Sequence, residues 1–96
     1  MELEQVLRML GDHRAEIRAH GVKSLAVFGS VARNEARAGS DVDLLVEFAV
    51  PTGLFEFVRL KHFLESILGC TVDLATPRSL HEQMRDGILR EAVRAA

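Results

Sequence analysis

The sequence predicts a small α/β (α+β) domain, a mixed sheet of about three strands flanked by helices, and three observations carry that expectation. Short β-branched, apolar runs alternate with longer stretches of helical periodicity. Glycines and a proline punctuate the changes of pattern, at Gly21, Gly29, Pro51, Gly53 and Gly69. No repeat, low-complexity tract or linker interrupts the chain, so residues 1–96 read as one domain near the small end of what folds alone. Hydrophobic residues make up 48% of the chain, enough for a core and too many for disorder.

The first helix is expected from about Leu3 to Ala19, with Leu3, Val6, Leu7, Leu10 and Ile17 near one stripe. Gly11 weakens its middle and would allow a break there, and Gly21 stops it. Lys23 to Phe28 reads as the first strand. Gly29-Ser30 turns the chain into a short helix over Val31 to Ala36, and Arg37 to Ser40 is a loop. Asp41 to Phe48 is the second strand, ended by Pro51-Thr52-Gly53. Leu54 to Leu68 is the most apolar helix, its apolar residues covering more than one narrow face, and Gly69 ends it. That excess width suits a core helix and a partner surface equally. Thr71 to Ala75 is a short third strand. The last helix is expected to start at Ser79 with a capping box to Glu82, burying Leu80, Met84, Ile88 and Leu89.

Composition narrows the function. The chain carries 12 basic and 14 acidic residues, a formal charge of −2, which argues against broad nucleic-acid binding. A nucleotide is still admissible, because backbone amides and metal ions can handle its phosphates. Cys70 is the only cysteine, so no intrachain disulfide forms. No apolar run approaches the roughly 18 residues of a membrane span. The acidic start Met1-Glu2-Leu3-Glu4 is unlike a secretory signal, so a cytoplasmic location is the expectation.

The informative stretch is Gly29-Ser30, then ten residues, then Asp41-Val42-Asp43. Side chains alternate across a strand, so Asp41 and Asp43 share a face with α-carbons roughly 7 Å apart. Val42, Leu44, Val46 and Phe48 point the other way, toward a core. Two like charges on one face become favourable when a divalent cation sits between them. Mg²⁺ suits this, since it takes a few carboxylates plus water and phosphate oxygens. Asp73, in Val72-Asp73-Leu74, joins the pair if the second and third strands are neighbours. Three carboxylates suit a two-metal site with ions about 3.5–4 Å apart. Gly29 permits a tight turn with close backbone approach to a ligand, and Ser30 adds a hydroxyl donor. The helix start behind them presents unpaired amides to a phosphate.

Taken together, Gly29-Ser30-Val31-Ala32-Arg33 and Ser40-Asp41-Val42-Asp43-Leu44-Leu45-Val46 resemble the signature of the DNA polymerase β-like nucleotidyltransferase superfamily, most of all its minimal nucleotidyltransferase (MNT) group. The resemblance spans nearly the whole chain. It implies a palm-like core in which Gly29 and Ser30 contact a triphosphate and Asp41 and Asp43 bind metal. It makes Asp73 the third acid, which helps activate the acceptor hydroxyl. Many members have Arg-Gly after the turn. Here Arg33-Asn34 stands in its place, and Asn is the next best residue for a left-handed conformation.

Similar minimal domains are commonly paired with a HEPN-domain protein as toxin and antitoxin, and some transfer AMP from ATP to a tyrosine on the HEPN partner. The resemblance therefore implies Mg²⁺, ATP and a HEPN partner, with homo- or hetero-oligomers open. A non-catalytic antitoxin that inhibits by covering its partner is the alternative. Transfer to a small molecule such as an antibiotic is weaker, for want of extra substrate-binding structure. Arg33 and Arg37 could each neutralise a phosphate, but a surface pair with Glu35 is the favoured reading. Glu47 shares the aspartates' parity further along and reads as a solvated acid. His13, His20, His62 and His81 show no ligand spacing and read as surface or helix-packing residues. Cys70 reads as a small buried hydrophobe.

Overall fold

A computed structural model describes residues 1–37, 39 and 41–96. Helix α1 (Leu3–Asp12) and helix α2 (Arg14–Ala19) replace the single long helix expected at the amino terminus. The break falls at His13 rather than Gly11. His13 has φ −111° and ψ 20°, and its Nδ1 lies 2.9 Å from the Met9 carbonyl oxygen. The ring thus competes locally for helix carbonyls, as a capping side chain does. The kink lets Val6 and Leu10 on α1 and Ile17 on α2 all reach the core, where each is fully buried.

Among the described residues, four strands form one sheet in the order β3-β2-β1-β4: β1 (Val22–Phe28), β2 (Val42–Phe48), β3 (Val72–Ala75) and β4 (Val93–Arg94). Strands β1 and β2 are antiparallel, as are β1 and β4, whereas β2 and β3 run parallel. A parallel neighbour requires a crossover, and helix α4 (Leu54–Leu68) supplies it at the bounds the sequence predicts. Gly53 caps its start. Gly69 ends it in the left-handed region at φ 69°, donating to the Glu65 carbonyl at 2.8 Å. The Glu65 carboxylate accepts the Val72 amide at 3.0 Å, which ties the crossover helix to β3.

Alternation along the strands separates the two faces of the sheet. Leu25 and Val27, then Val42, Leu44 and Val46, then Val72 and Leu74 form the main core with α1, α2 and α4. Leu60, Leu64 and Leu68 give α4 a narrow buried stripe at four-residue spacing. Burying each stabilises the fold by about 1.5–3 kcal/mol. The opposite face carries a second, smaller cluster of Phe28, Leu45 and Ile88. Ile88 belongs to helix α5 (Glu82–Glu91).

Helix α5 departs from expectation. It begins at Glu82, not Ser79, so the expected capping box is absent. Ser79 instead closes a turn with Thr76: the Ser79 hydroxyl accepts the Thr76 amide at 2.9 Å and donates to the Thr76 carbonyl at 2.9 Å. Such hydroxyl–backbone turns compete with helix starts. Met84 and Leu89 are exposed, which leaves Ile88 as the buried residue of the helix. Strand β4, which the sequence pattern did not predict, follows directly. Its Arg94 and Val93 pair with Ala26 and Val27, and Leu25 donates to the Ala96 carbonyl at 3.0 Å.

Of the scattered histidines, His62 and His81 are exposed and His20 is half-buried. His20 stacks on Phe63 at 4.8 Å between ring centroids. Cys70 packs partly buried against the main core, and burial raises its thiol pKa. Among the described residues, no helix is long and apolar enough to cross a membrane.

Candidate functional site

The site forms where the chain leaves β1. Phe28 stands opposite Asp43 in the β1–β2 register, so the residue after it, Gly29, must turn beside that carboxylate. Gly29 adopts φ 72° and opens helix α3 (Gly29–Ala32), a single turn that ends four residues short of the expected Ala36. A Cβ at Gly29 would overlap the Asp43 carboxylate, with the Asp43 γ-carbon only 2.9 Å away. Both the dihedral and the contact therefore demand glycine here. Ser30 is the second residue of the turn and is half-buried. The turn closes through Asn34, which has φ 57°, the left-handed conformation the sequence assigns to it. Ser40 and Ala38 lie outside the described residues.

Parallel pairing of β2 with β3 sets Asp43 directly beside Asp73. Neighbouring strands lie about 4.8 Å apart, which places two carboxylates side by side on one face. Asp41 precedes β2 rather than beginning it and is exposed. Asp43 is half-buried, and Asp73 is exposed. The Asp43 pKa is raised from its ordinary value. Burial is the largest cause, followed by the charges of Asp73 and Asp41 and a hydrogen bond with Asp73, with Arg33 opposing. The charges of Asp73 and Asp41 therefore both reach Asp43 and disfavour its ionisation.

This donor set suits a hard divalent cation. Among the described residues no group of three or more His, Cys, Asp or Glu side chains is gathered closely enough to hold a metal ion by itself. A carboxylate pair open to solvent leaves room for water and phosphate oxygens, which is how Mg²⁺ is usually held. A cation there would also relieve the repulsion that raises the Asp43 pKa.

Two further residues complete the site, and only one is suggested by sequence. Arg33 pairs with Glu35 at 3.2 Å, the surface pair expected for it. It also pairs with Glu91 on α5 at 3.0 Å. Both acids raise the Arg33 pKa, Glu91 more than Glu35. Glu91 also accepts the Gly29 amide at 3.1 Å. No short-range spacing could have announced Glu91, because it meets the turn only through the placement of α5 and β4. Glu47 is exposed near the far end of β2, away from the turn.

Comparison with known proteins bears on the family and the fold. The family described as "Nucleotidyltransferase domain" matches residues 10–95. Protein adenylyltransferase MntA of Thermococcus cleftensis is 40% identical over 94 residues, covering 97% of this chain and 95% of its own. A solved structure provisionally described as a minimal nucleotidyltransferase superposes with a TM-score of 0.83 at 42% identity, covering 97% of this chain and 95% of that one. A more distant structure, with a TM-score of 0.66 at 18% identity, covers 94% of this chain and 71% of that one. It is described as tri-AMPylated Shewanella oneidensis HEPN toxin in complex with MNT antitoxin, and at that identity the likeness concerns the fold alone.

Proposed function

This chain belongs to the nucleotidyltransferase domain family, and on that premise we propose that it transfers a nucleoside monophosphate, AMP from ATP, to a hydroxyl on a partner protein, with Mg²⁺ as cofactor. The partner is a HEPN-domain protein, for which this chain acts as antitoxin. The observation that carries the reading is the seating of the Gly29 turn against Asp43, with Asp73 abreast on the next strand. The adenylyltransferase relative supports the transferred group, and the kind of partner is suggested by the HEPN toxin named in the complex of a structure that shares this fold.

Each residue has a part in the proposed transfer. The Gly29 amide and the Ser30 hydroxyl receive phosphate oxygens of the triphosphate. Asp41 and Asp43 would hold the cation together with phosphate oxygens and water, and Asp73 would join them once it is bound. When bound, one or two Mg²⁺ ions supply positive charge against the triphosphate and the charge developing on the leaving pyrophosphate. The Asp73 carboxylate helps take the proton from the acceptor hydroxyl. The acceptor oxygen bonds to the α-phosphorus in line, the bond to the bridging oxygen breaks, and pyrophosphate departs. The protein's contribution is positioning and charge, as is usual for such transfers. The partner carries its own acceptor hydroxyl.

A second reading, inhibition by covering alone, draws on one observation. The start of α4 exposes Leu54 at 78% and Phe55 at 71%, an apolar pair suited to a partner. Transfer of α-labelled ATP to a co-purified HEPN-domain protein decides between the two. Label that vanishes in the Asp41→Asn/Asp43→Asn double variant supports transfer. A stable, unlabelled complex with all four nucleotides supports covering alone.

A further inference from the structure

We propose that Glu91 competes with the triphosphate for the phosphate-binding turn, so that nucleotide affinity is set by how readily its side chain leaves. The proposal rests on the reading of this turn as a triphosphate site. The Gly29 amide donates to Glu91 Oε1 at 3.1 Å. Arg33 Nη1 donates to both Glu91 oxygens, at 3.2 and 3.0 Å. An amide and a guanidinium converging on one anion are the groups a phosphate oxygen would use. An amide has one hydrogen to donate, so a phosphate taking Gly29 N–H displaces the Glu91 oxygen. A carboxylate that stayed in place would also hold negative charge against the incoming phosphates.

The backbone around Glu91 is pinned. Val93 and Arg94 pair with Val27 and Ala26, and the Ala92 amide donates to the Ile88 carbonyl at 3.0 Å. Exchange therefore proceeds by rotation of the Glu91 side chain and not by departure of α5. That side chain is 27% exposed, so a route to solvent exists. Once released, Arg33 keeps Glu35 as a partner at 3.2 Å and can turn its remaining donors to the phosphate. Glu91 is thus a resident anion that gives way to a stronger one.

The test compares wild type with Glu91→Gln and Glu91→Asp for binding of ATP with Mg²⁺ and of inorganic tripolyphosphate, by calorimetry on the full chain. Loss of a charge-assisted competitor should tighten both ligands about tenfold in Glu91→Gln. Glu91→Asp, too short to span Gly29 and Arg33, should shift the same way by less. The KM for ATP should fall in both variants. A purely structural role for Glu91 would leave affinity equal or weaker in both variants, and that result overturns the proposal. Transfer assayed in parallel separates this inference from the functional reading beneath it. Absent transfer with tightened binding removes the transferase reading alone. Intact transfer with unaltered binding removes this proposal alone, and absence of ATP binding in every variant removes both.

Discussion

At Asp43 the chain holds a carboxylate where burial and two neighbouring acids disfavour its charge. The folded state therefore binds that proton more tightly than the unfolded state. The associated stability is fully present below the ordinary value of 3.8 and is lost as pH rises through the elevated folded value. Asp43→Asn removes this penalty. In chelator, its unfolding midpoint should match wild type at about pH 3 and exceed it near neutral pH. Urea unfolding at the two pH values measures this, and a lower midpoint for Asp43→Asn at neutral pH would contradict the assignment of strain to that charge. Residues of this kind were legible in sequence. Strand parity put Asp43 on the face away from the main core and the apolar flanks of Asp73 marked a third strand, but Asp41 lies just before β2, where strand parity does not apply. Asn34 was legible for a different reason, since few side chains tolerate its φ of 57°. Glu91 was not, because its partners Gly29 and Arg33 are joined to it only through the folded packing of α5.

The elements divide along a similar line. Helix α4 matches its predicted bounds because Gly53 and Gly69 terminate a strong apolar pattern, yet the pattern is wider than the face it buries. Only Leu60, Leu64 and Leu68 of that helix are buried, whereas Leu54 and Phe55 are exposed. Leu64→Ala should therefore cost about 2–5 kcal/mol and Leu54→Ala within about 0.5 kcal/mol, by urea unfolding. Equal losses at the two positions would mean that the exposed end packs against something in solution. Helix α5 was misplaced at its start for a local reason. Ser79 and Glu82 satisfy a capping pattern, but Thr76 claims the Ser79 hydroxyl first. Strand β4 was missed because two residues carry too little periodicity to register. The amino-terminal helix was read too long because the apolar stripe continues through the His13 break to Ile17.

Across the whole molecule the two faces of the sheet are unequal. Among the described residues, one buries the contiguous core of α1, α2 and α4, and the other buries Phe28, Leu45 and Ile88 under α5, with Ala75, Leu80 and Ala92 partly buried against them. Local opening follows buried apolar contact. Native-state hydrogen exchange should therefore show α5 amides opening at lower free energy than those of α4 and β2. Uniform protection across both faces would show that the smaller cluster is as cooperative as the main core. The fold class was legible at this scale, because alternating short strands and longer helices leave few other layerings. The order β3-β2-β1-β4 was only half legible, since β4 gives little signal. The parallel register of Asp43 with Asp73 has its own consequence in the cell. A chain emerging from the ribosome has Gly29, Asp41 and Asp43 outside long before Asp73 follows, and the crossover helix must form in between. Long-range parallel pairing is slow to form. A nascent chain therefore holds the Gly29 turn and Asp43 without Asp73 beside them, and the proposed site is complete only in one late step, when the third strand docks.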